Sequence, residues 1–439
     1  MDESINKELL TFIEKSPTAW HAVKNLAERL REEGYTELHE EEDWALVPGA
    51  RCFVRRNGSS LLAFRIPREM PVGFMLMAAH ADSPCLRLKE LATAEAAGLY
   101  ARVPVERYGG MILSTWLDRP LSVAGRLVVR EGERLTERLV DLARDVALIP
   151  NVAIHMERSV NDGKAFDLKT DMLPLIGSEN SAESFRRLIA DAAGTREEDI
   201  CSAELQFYPR TPGTIWGAEG EYVSAPRLDD LQCVFACAQG FLAASESGSV
   251  PVFCCFDNEE VGSSTRQGAA ADFLSRTLAR IAAGLGCELP RLLAQSFLVS
   301  ADNAHAVHPN HPEYADAVDR PAMNRGVVLK FNASQRYVTD AVSAAVFREI
   351  CRRADVPVQR YTNRADLPGG STLGNISLAQ VAVRSLDIGL AQLAMHSSYE
   401  TAGARDTAWL CRAARRFFES SLHVAGETIT IRDGGRNEV

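Results

Sequence analysis

The sequence predicts an α/β chain in which a three-layer domain is interrupted by a largely β segment. Three observations carry that expectation. Apolar runs of strand length alternate with stretches of helical spacing toward both ends of the chain. Between residues 91 and 225 the pattern changes to short alternating runs mixed with glycine and charged segments. Four of the apolar runs end in residues that bind cations or carry protons, and in open α/β sheets ligands bind beyond the carboxyl ends of the strands.

The elements follow in order. Ile5, Leu9, Phe12 and Ile13 lie close to helical spacing, which predicts a helix over 5–15 that Ser16-Pro17-Thr18 interrupts. Thr18 suits the N-cap of a second helix, with Val23, Leu26, Ala27 and Leu30 on one face and Gly34 as its stop. Residues 46–66 read as strands broken by a turn at Asn57-Gly58, and 72–79 as a buried strand that ends at His80. Past the β segment, Arg227-Leu228-Asp229-Asp230 opens a long helix, with both carboxylates in the first turn, where the helix dipole favours them. Residues 252–256 form a strand that runs straight into Asp257-Asn258-Glu259-Glu260. A helix over 270–285 follows, then a strand over 296–301 ending at Asp302-Asn303-Ala304-His305. Residues 327–332, with Lys330, read as a strand, 339–354 as a helix, and 381–390 as a strand followed by Ala394-Met395-His396-Ser397. A closing helix is expected over 406–423. At 439 residues the chain exceeds what one core usually serves, and the expected division is 1–90, 91–225 and 226–439.

Composition narrows the function classes. Apolar residues are 46% and charged residues 24%, as in ordinary globular proteins. A net charge of −11 and the lack of a long basic run argue against nucleic acid as a partner. No apolar stretch reaches the ~20 residues needed to span a bilayer. The N-terminal MDESINKELL is acidic and polar, unlike a secretory signal, so the cytoplasm is the expected location. The ten cysteines sit mostly within apolar runs without paired C-x-x-C spacing, and read as reduced, buried thiols.

His80, Asp229, Glu259, Glu260, Asp302 and His396 all fall at strand ends or helix starts. Two histidines and several carboxylates are the donors that a pair of zinc-type ions takes, with one carboxylate left off the metal as general base. Asp82, two residues beyond His80, is placed to orient its imidazole. Each residue has an ordinary alternative: a core histidine, a helix cap, a loop acid, a helix-start histidine. Their joint occurrence at strand ends is the stronger argument.

The segments HADSPCLRLK (80–89), STWLDRPLSVAGR (114–126), RLDDL (227–231), DNEEVGS (257–263), SADNAHAVHPN (300–310), KFNASQRY (330–337), GGSTLG (369–374) and MHSSYE (395–400) together resemble the M18 metallopeptidases, the aspartyl aminopeptidase family. They come in the family's order and cover nearly the whole chain. The resemblance implies a zinc-peptidase catalytic domain carrying an inserted β-rich dimerisation domain. It implies two zinc ions per subunit, with manganese or cobalt as substitutes. His80 and Asp302 would hold one, Glu260 and His396 the other, and Asp229 would bridge them. Glu259 would be the general base and Asp82 the residue that orients His80. Lys330 would attract an acidic substrate side chain, Gly370 and Ser371 would face the substrate, and His155 would reach into a neighbouring subunit's site. Dimers would assemble into a tetrahedral dodecamer that admits peptides with a free N-terminus. The family does not use His305, His308 and His311 as ligands, so their loop reads as structural. Gly369, Asn375 and Ser398-Tyr399 depart from the residues many relatives carry, which bears on specificity more than on catalysis. The expected activity is an aminopeptidase favouring Asp or Glu. An aminoacylase-like hydrolase and a non-catalytic assembly protein are the rival readings.

Overall fold

The computed structural model describes residues 2–367, 370 and 372–434. Its centre is a nine-stranded mixed sheet, and the alternation of side chains along each strand explains the layers. On the strand Phe74–His80, Met75, Met77 and Ala79 enter one core, while Phe74, Leu76 and Ala78 enter the other. The first core is closed by the helices Asp2–Glu14, Ala19–Glu32, Leu228–Ala243, Ala341–Arg353 and Asp406–Phe418. The second is closed by Phe273–Gly284, Leu289–Ala294 and Leu373–Leu378. A strand buried on both faces needs apolar residues at every position, which is why these strands read as continuous apolar runs.

Register decides where the strands deliver their last residues. Val250–Phe256 lies parallel to Phe74–His80 with Phe256 opposite His80. Phe297–Ala301 flanks the other side, also parallel, with Ser300 opposite Ala78. Residues 257–260, 80–82 and 302 therefore emerge at one edge. Arg384–Gly389 continues the parallel run, and Val327–Phe331 pairs antiparallel to it with Lys330 opposite Asp387.

A second five-stranded sheet has its own core and a covering helix, Ser181–Ala192. It starts with Cys85–Leu88, directly after the His80 segment, and includes Val105–Tyr108, Leu121–Glu131, Arg134–Asp141 and Ile200–Pro209. Thr214–Trp216 and Tyr222–Ala225 leave it and join a smaller sheet containing Ala391–Leu393 and Glu400–Gly403.

Most expected elements are present. Thr18 caps its helix, its side chain accepting from the His21 N–H, and the strands Arg51–Arg56 and Ser60–Arg65 turn at Asn57-Gly58, both at positive φ. Several details differ, among them the strand expected over 381–390, which covers only Arg384–Gly389. Residues 46–50 are not strand, and the hairpin begins at Arg51. The helix expected from 270 begins at Phe273. The closing helix ends at Phe418, because Ser420–Ala425 turns back against Thr428–Asp433 as an antiparallel pair. Asp229 and Asp230 are not in the first helical turn: both have non-helical φ/ψ, and regular helix follows them. Val358–Thr362 and Leu373–Leu378 were not anticipated. All ten cysteines are free; seven are buried and Cys201 alone is exposed.

Candidate metal centre

The strand edge delivers its polar residues into one place. His80 ends its strand fully buried, and its Nδ1 faces Asp82 twice, the backbone carbonyl at 3.1 Å and Oδ1 at 3.3 Å. With Nδ1 occupied, Nε2 points to Asp229 Oδ1 at 3.7 Å. This is the arrangement by which a neighbour fixes a ligating histidine's tautomer and ring orientation. Asp82 does more than touch His80. Its Oδ1 accepts from the Glu259 N–H and its Oδ2 from the Glu260 N–H, both at 3.1 Å, and Tyr108 Oη donates to Oδ2 at 2.6 Å. Burial would raise the Asp82 pKa, but the His80 hydrogen bond and charge outweigh it and hold the carboxyl ionised.

Glu259 and Glu260 lie in a single 3₁₀ turn that opens after Asn258. Asn258 has φ of 62°, a left-handed conformation that asparagine tolerates. Burial pushes the Glu259 carboxyl up to about 9, with His80 opposing and Asp302 and Glu260 reinforcing. Glu260 rises to about 7, again through burial.

His396 belongs to the segment after Ala391–Leu393, outside the central sheet. Its Nε2 lies 3.5 Å from Asp229 Oδ2 and 3.3 Å from Glu260 Oε1. Burial opposes its protonation, but the Asp229 and Glu260 contacts prevail and lift its pKa to about 11. Two overlapping triads result. Ligand atoms of His80, Asp229 and Asp302 lie within 4.8 Å of one another, as do those of Asp229, Glu260 and His396; a third such triad is His80, Glu259 and Glu260. Asp229 belongs to the first two, facing one histidine with each oxygen.

The donor set fits zinc. It consists of imidazole nitrogens and carboxylate oxygens, the ligands this borderline cation takes. Asp229 Oδ1 and Glu260 Oε1 are buried acceptors that receive no hydrogen bond of good geometry, their nearest cationic neighbours being the His80 and His396 imidazoles at 3.7 and 3.3 Å.

The residues surround a cavity of about 350 Å³. Lys330, Gly370, Thr372, Tyr337, Tyr361 and His305 also line it. Lys330 is buried, its Nζ 3.6 Å from Asp302 Oδ1, and Asp302, with Tyr337, Asp387 and Asp229, outweighs burial and keeps it charged. His155 is exposed and does not line this cavity. Ser371 lies outside the described residues. His305, grouped by the sequence with a structural loop, lines the cavity, while His308 and His311 lie outside it, their rings tilted against each other at 5.3 Å.

Two residues bracing the site escaped the sequence reading. Glu400 is buried and bridges two candidate ligands, its Oε2 accepting from the Asp229 N–H at 2.9 Å and its Oε1 from the His396 N–H at 2.7 Å. Asp387, under the cavity wall, accepts from Thr372 Oγ1 at 2.6 Å and the Val338 N–H at 2.7 Å. The MHSSYE segment contained Glu400, but nothing local marks an acid that acts across 171 residues.

The family described as aminopeptidase I zinc metalloprotease (M18) matches residues 12–418. The chain belongs to the M18 family of aminopeptidases. A probable M18 family aminopeptidase 2 of Clostridium acetobutylicum is 41% identical over 423 residues, covering 94% of this chain and 98% of that protein. A chain of an Ape4–Nbr1 complex superposes with a TM-score of 0.92 at 36% identity, covering 95% of this chain and 86% of that one. An mApe1 dodecamer has a TM-score of 0.84 at 28% identity, covering 95% and 96%. This M18 chain is thus a hydrolase of the aminopeptidase class. Among the described residues no helix is long and apolar enough to cross a membrane.

Proposed function

We propose that this chain is a dinuclear-zinc aminopeptidase that removes single N-terminal residues from peptides and favours Asp or Glu. The observation that carries this reading is the pair of ligand triads sharing Asp229 at the foot of a cavity that also holds a buried lysine. His80 and Asp302 would hold one ion, Glu260 and His396 the other, and Asp229 both. Zinc bound there supplies Lewis acidity toward the scissile carbonyl and toward water. Glu259 stays off the metal, takes the proton of the attacking water, and delivers it to the leaving amine. Asp82 keeps His80 Nε2 aimed inward and ties the Glu259-Glu260 backbone to the same point. Lys330 offers a charge-assisted hydrogen bond to an acidic side chain. Backbone N–H groups near Gly370 and Ser371 would face the reacting carbonyl.

The remaining proposals concern assembly and setting. Residues 91–225 would be the dimerisation domain, His155 would serve a neighbouring subunit, and the chain would form a dodecamer like the mApe1 relative. The free, mostly buried cysteines support a cytoplasmic location.

The test is hydrolysis of chromogenic Asp, Glu, Leu, Lys and Ala substrates with zinc, manganese or cobalt, alongside a chelator control. Chelator-sensitive cleavage led by Asp and Glu, abolished when the substrate's amine is acetylated, is expected. Equal turnover of Asp and Leu removes the acidic preference. Cleavage of the acetylated substrates moves the reading to an acylase.

A further inference from the structure

One stretch of chain outside the catalytic sheet touches both halves of the candidate metal centre. It begins at Tyr108, the last residue of the strand Val105–Tyr108, which pairs antiparallel to Cys85–Leu88 with Tyr108 opposite Cys85. Cys85 lies three residues beyond Asp82. The register of the second sheet thus brings the Tyr108 ring to the His80–Asp82 segment. Tyr108 Oη donates to Asp82 Oδ2 and accepts from Asn258 Nδ2 at 2.8 Å. Asn258 Oδ1 in turn accepts from Thr265 and Gln267, so this hydroxyl is locked between two elements. The Arg87 guanidinium stacks on the Tyr108 ring at 3.9 Å, which fixes the ring's plane.

The next residues reach the other half. Gly109 has φ of 72°, and a Cβ there would meet Glu260 Cβ at 3.1 Å and Pro84 at 3.4 Å. Glycine permits both the backbone angle and the close approach. A Cβ on Gly110 would lie 3.6 Å from His396 Nδ1. The Ile112 N–H donates to the His396 carbonyl at 3.0 Å. Thr115 Oγ1 accepts from the Ser398 N–H at 2.9 Å, and Ser398 Oγ donates to the Thr115 carbonyl.

We infer that residues 108–115, supplied by the second sheet, form a clasp that sets both candidate zinc sites, with Tyr108 and Thr115 as positioning residues. Tyr108 acts through Asp82 on His80, Glu259 and Glu260. Thr115 acts through Ser398 on the His396 segment. Neither touches the ligand atoms. The second sheet is then part of the active site of its own subunit, whatever it contributes to assembly. The inference rests on the zinc reading above.

The test is zinc affinity of the full chain by competition with a chromophoric chelator, together with kcat, KM and metal-free melting temperature. Tyr108→Phe keeps the ring on Arg87 and removes only the hydroxyl, and Thr115→Val keeps the shape and removes the hydroxyl that accepts from the Ser398 N–H and donates to the Ile112 carbonyl at 2.7 Å. Each is expected to weaken zinc binding ~10- to 100-fold, the usual effect of losing an outer partner of a ligand. kcat at saturating zinc falls while KM is unchanged. Tyr208→Phe is the control, because it keeps the ring against Arg227 and removes only a hydroxyl that donates to Asp141 at 2.6 Å, in the same sheet and not bonded to a candidate ligand. It is expected to lower the melting temperature and leave zinc affinity as in wild type. Wild-type zinc affinity and kcat in both test variants overturns the inference. An equal affinity loss in the control overturns it too, because the effect is then general destabilisation. Should Tyr108→Phe not fold, Thr115→Val decides alone by the same criteria. A wild-type chain that binds no zinc refutes the zinc reading itself, a result distinct from unchanged variants.

Discussion

Two groups of carboxylates in this molecule have opposite fates. Glu349, on an outer helix face, forms ion pairs with Arg352 at 2.7 Å and Arg353 at 2.8 Å, and these hydrogen bonds and charges push its pKa down to about 2. Glu259 and Glu260, at the strand edge, are lifted to about 9 and about 7 by burial. The first group carries its counter-charge within one helix. The second crowds beside Asp82, Asp229 and Asp302, with Lys330 and two histidines as its cationic partners. A chain that buries more negative charge than it neutralises has left room for cations from outside.

The sharpest way to break this contrast is Glu259→Gln. Zinc binding and fold are expected to survive, while kcat falls ~10²- to 10⁴-fold, as for loss of a general base. Unchanged turnover would remove Glu259 from the chemistry. Next in size is Lys330→Met, which removes the cavity's lysine. Charged hydrogen bonds are worth ~1.5–3 kcal/mol, so the Asp-over-Leu ratio in kcat/KM is expected to fall by roughly 10- to 150-fold. A ratio that does not move assigns the lysine to Asp302 alone.

A smaller effect concerns pH in the metal-free protein. Glu259, Glu260 and His396 hold protons more tightly folded than unfolded, since their pKa values rise from 4.5, 4.5 and 6.5 to about 9, 7 and 11. Their contribution to stability is complete below their unfolded values and is lost as pH rises through the folded ones. Asp82 and Asp229, both lowered, act oppositely, and their contribution fades only in acid. The melting temperature of the metal-free chain is therefore expected to decline from pH 5 to pH 9. Zinc must displace the same protons, so the rise in melting temperature that it produces grows with pH. A metal-free melting temperature independent of pH would contradict the crowding argument. The smallest effect belongs to the other group: Glu349→Gln should change stability by less than ~1 kcal/mol in a denaturant titration, because exposed pairs are well screened.

What could be read from the sequence was whatever a short window contains. Apolar runs ending at His80, Asp257, Asp302 and near His396 exposed both the central sheet and the residues at its edge. The hairpin turn at Asn57-Gly58 and the cap at Thr18 were equally local. Glu400 and Tyr108 were not legible because their meaning is a contact, 171 and 26 residues away respectively. Asp229 misled for a related reason. A helix start explains an acid well enough that nothing in RLDDL announces a non-helical backbone there, with Asp229 facing two histidines. The hairpin after Phe418 was missed because its first strand continues the apolar character of the helix before it.

The order of the ligands along the chain has a consequence for biosynthesis. Under the zinc reading the first ligand, His80, leaves the ribosome 316 residues before the last, His396. At ~5–20 residues per second, that interval lasts ~15–60 s. During it the nascent chain carries His80, Asp229, Glu260 and Asp302 without the imidazole that closes the second triad, and without Glu400, which bridges Asp229 to His396. Complete loading of the centre is therefore a late event, made possible only after His396 and Glu400 have been synthesised.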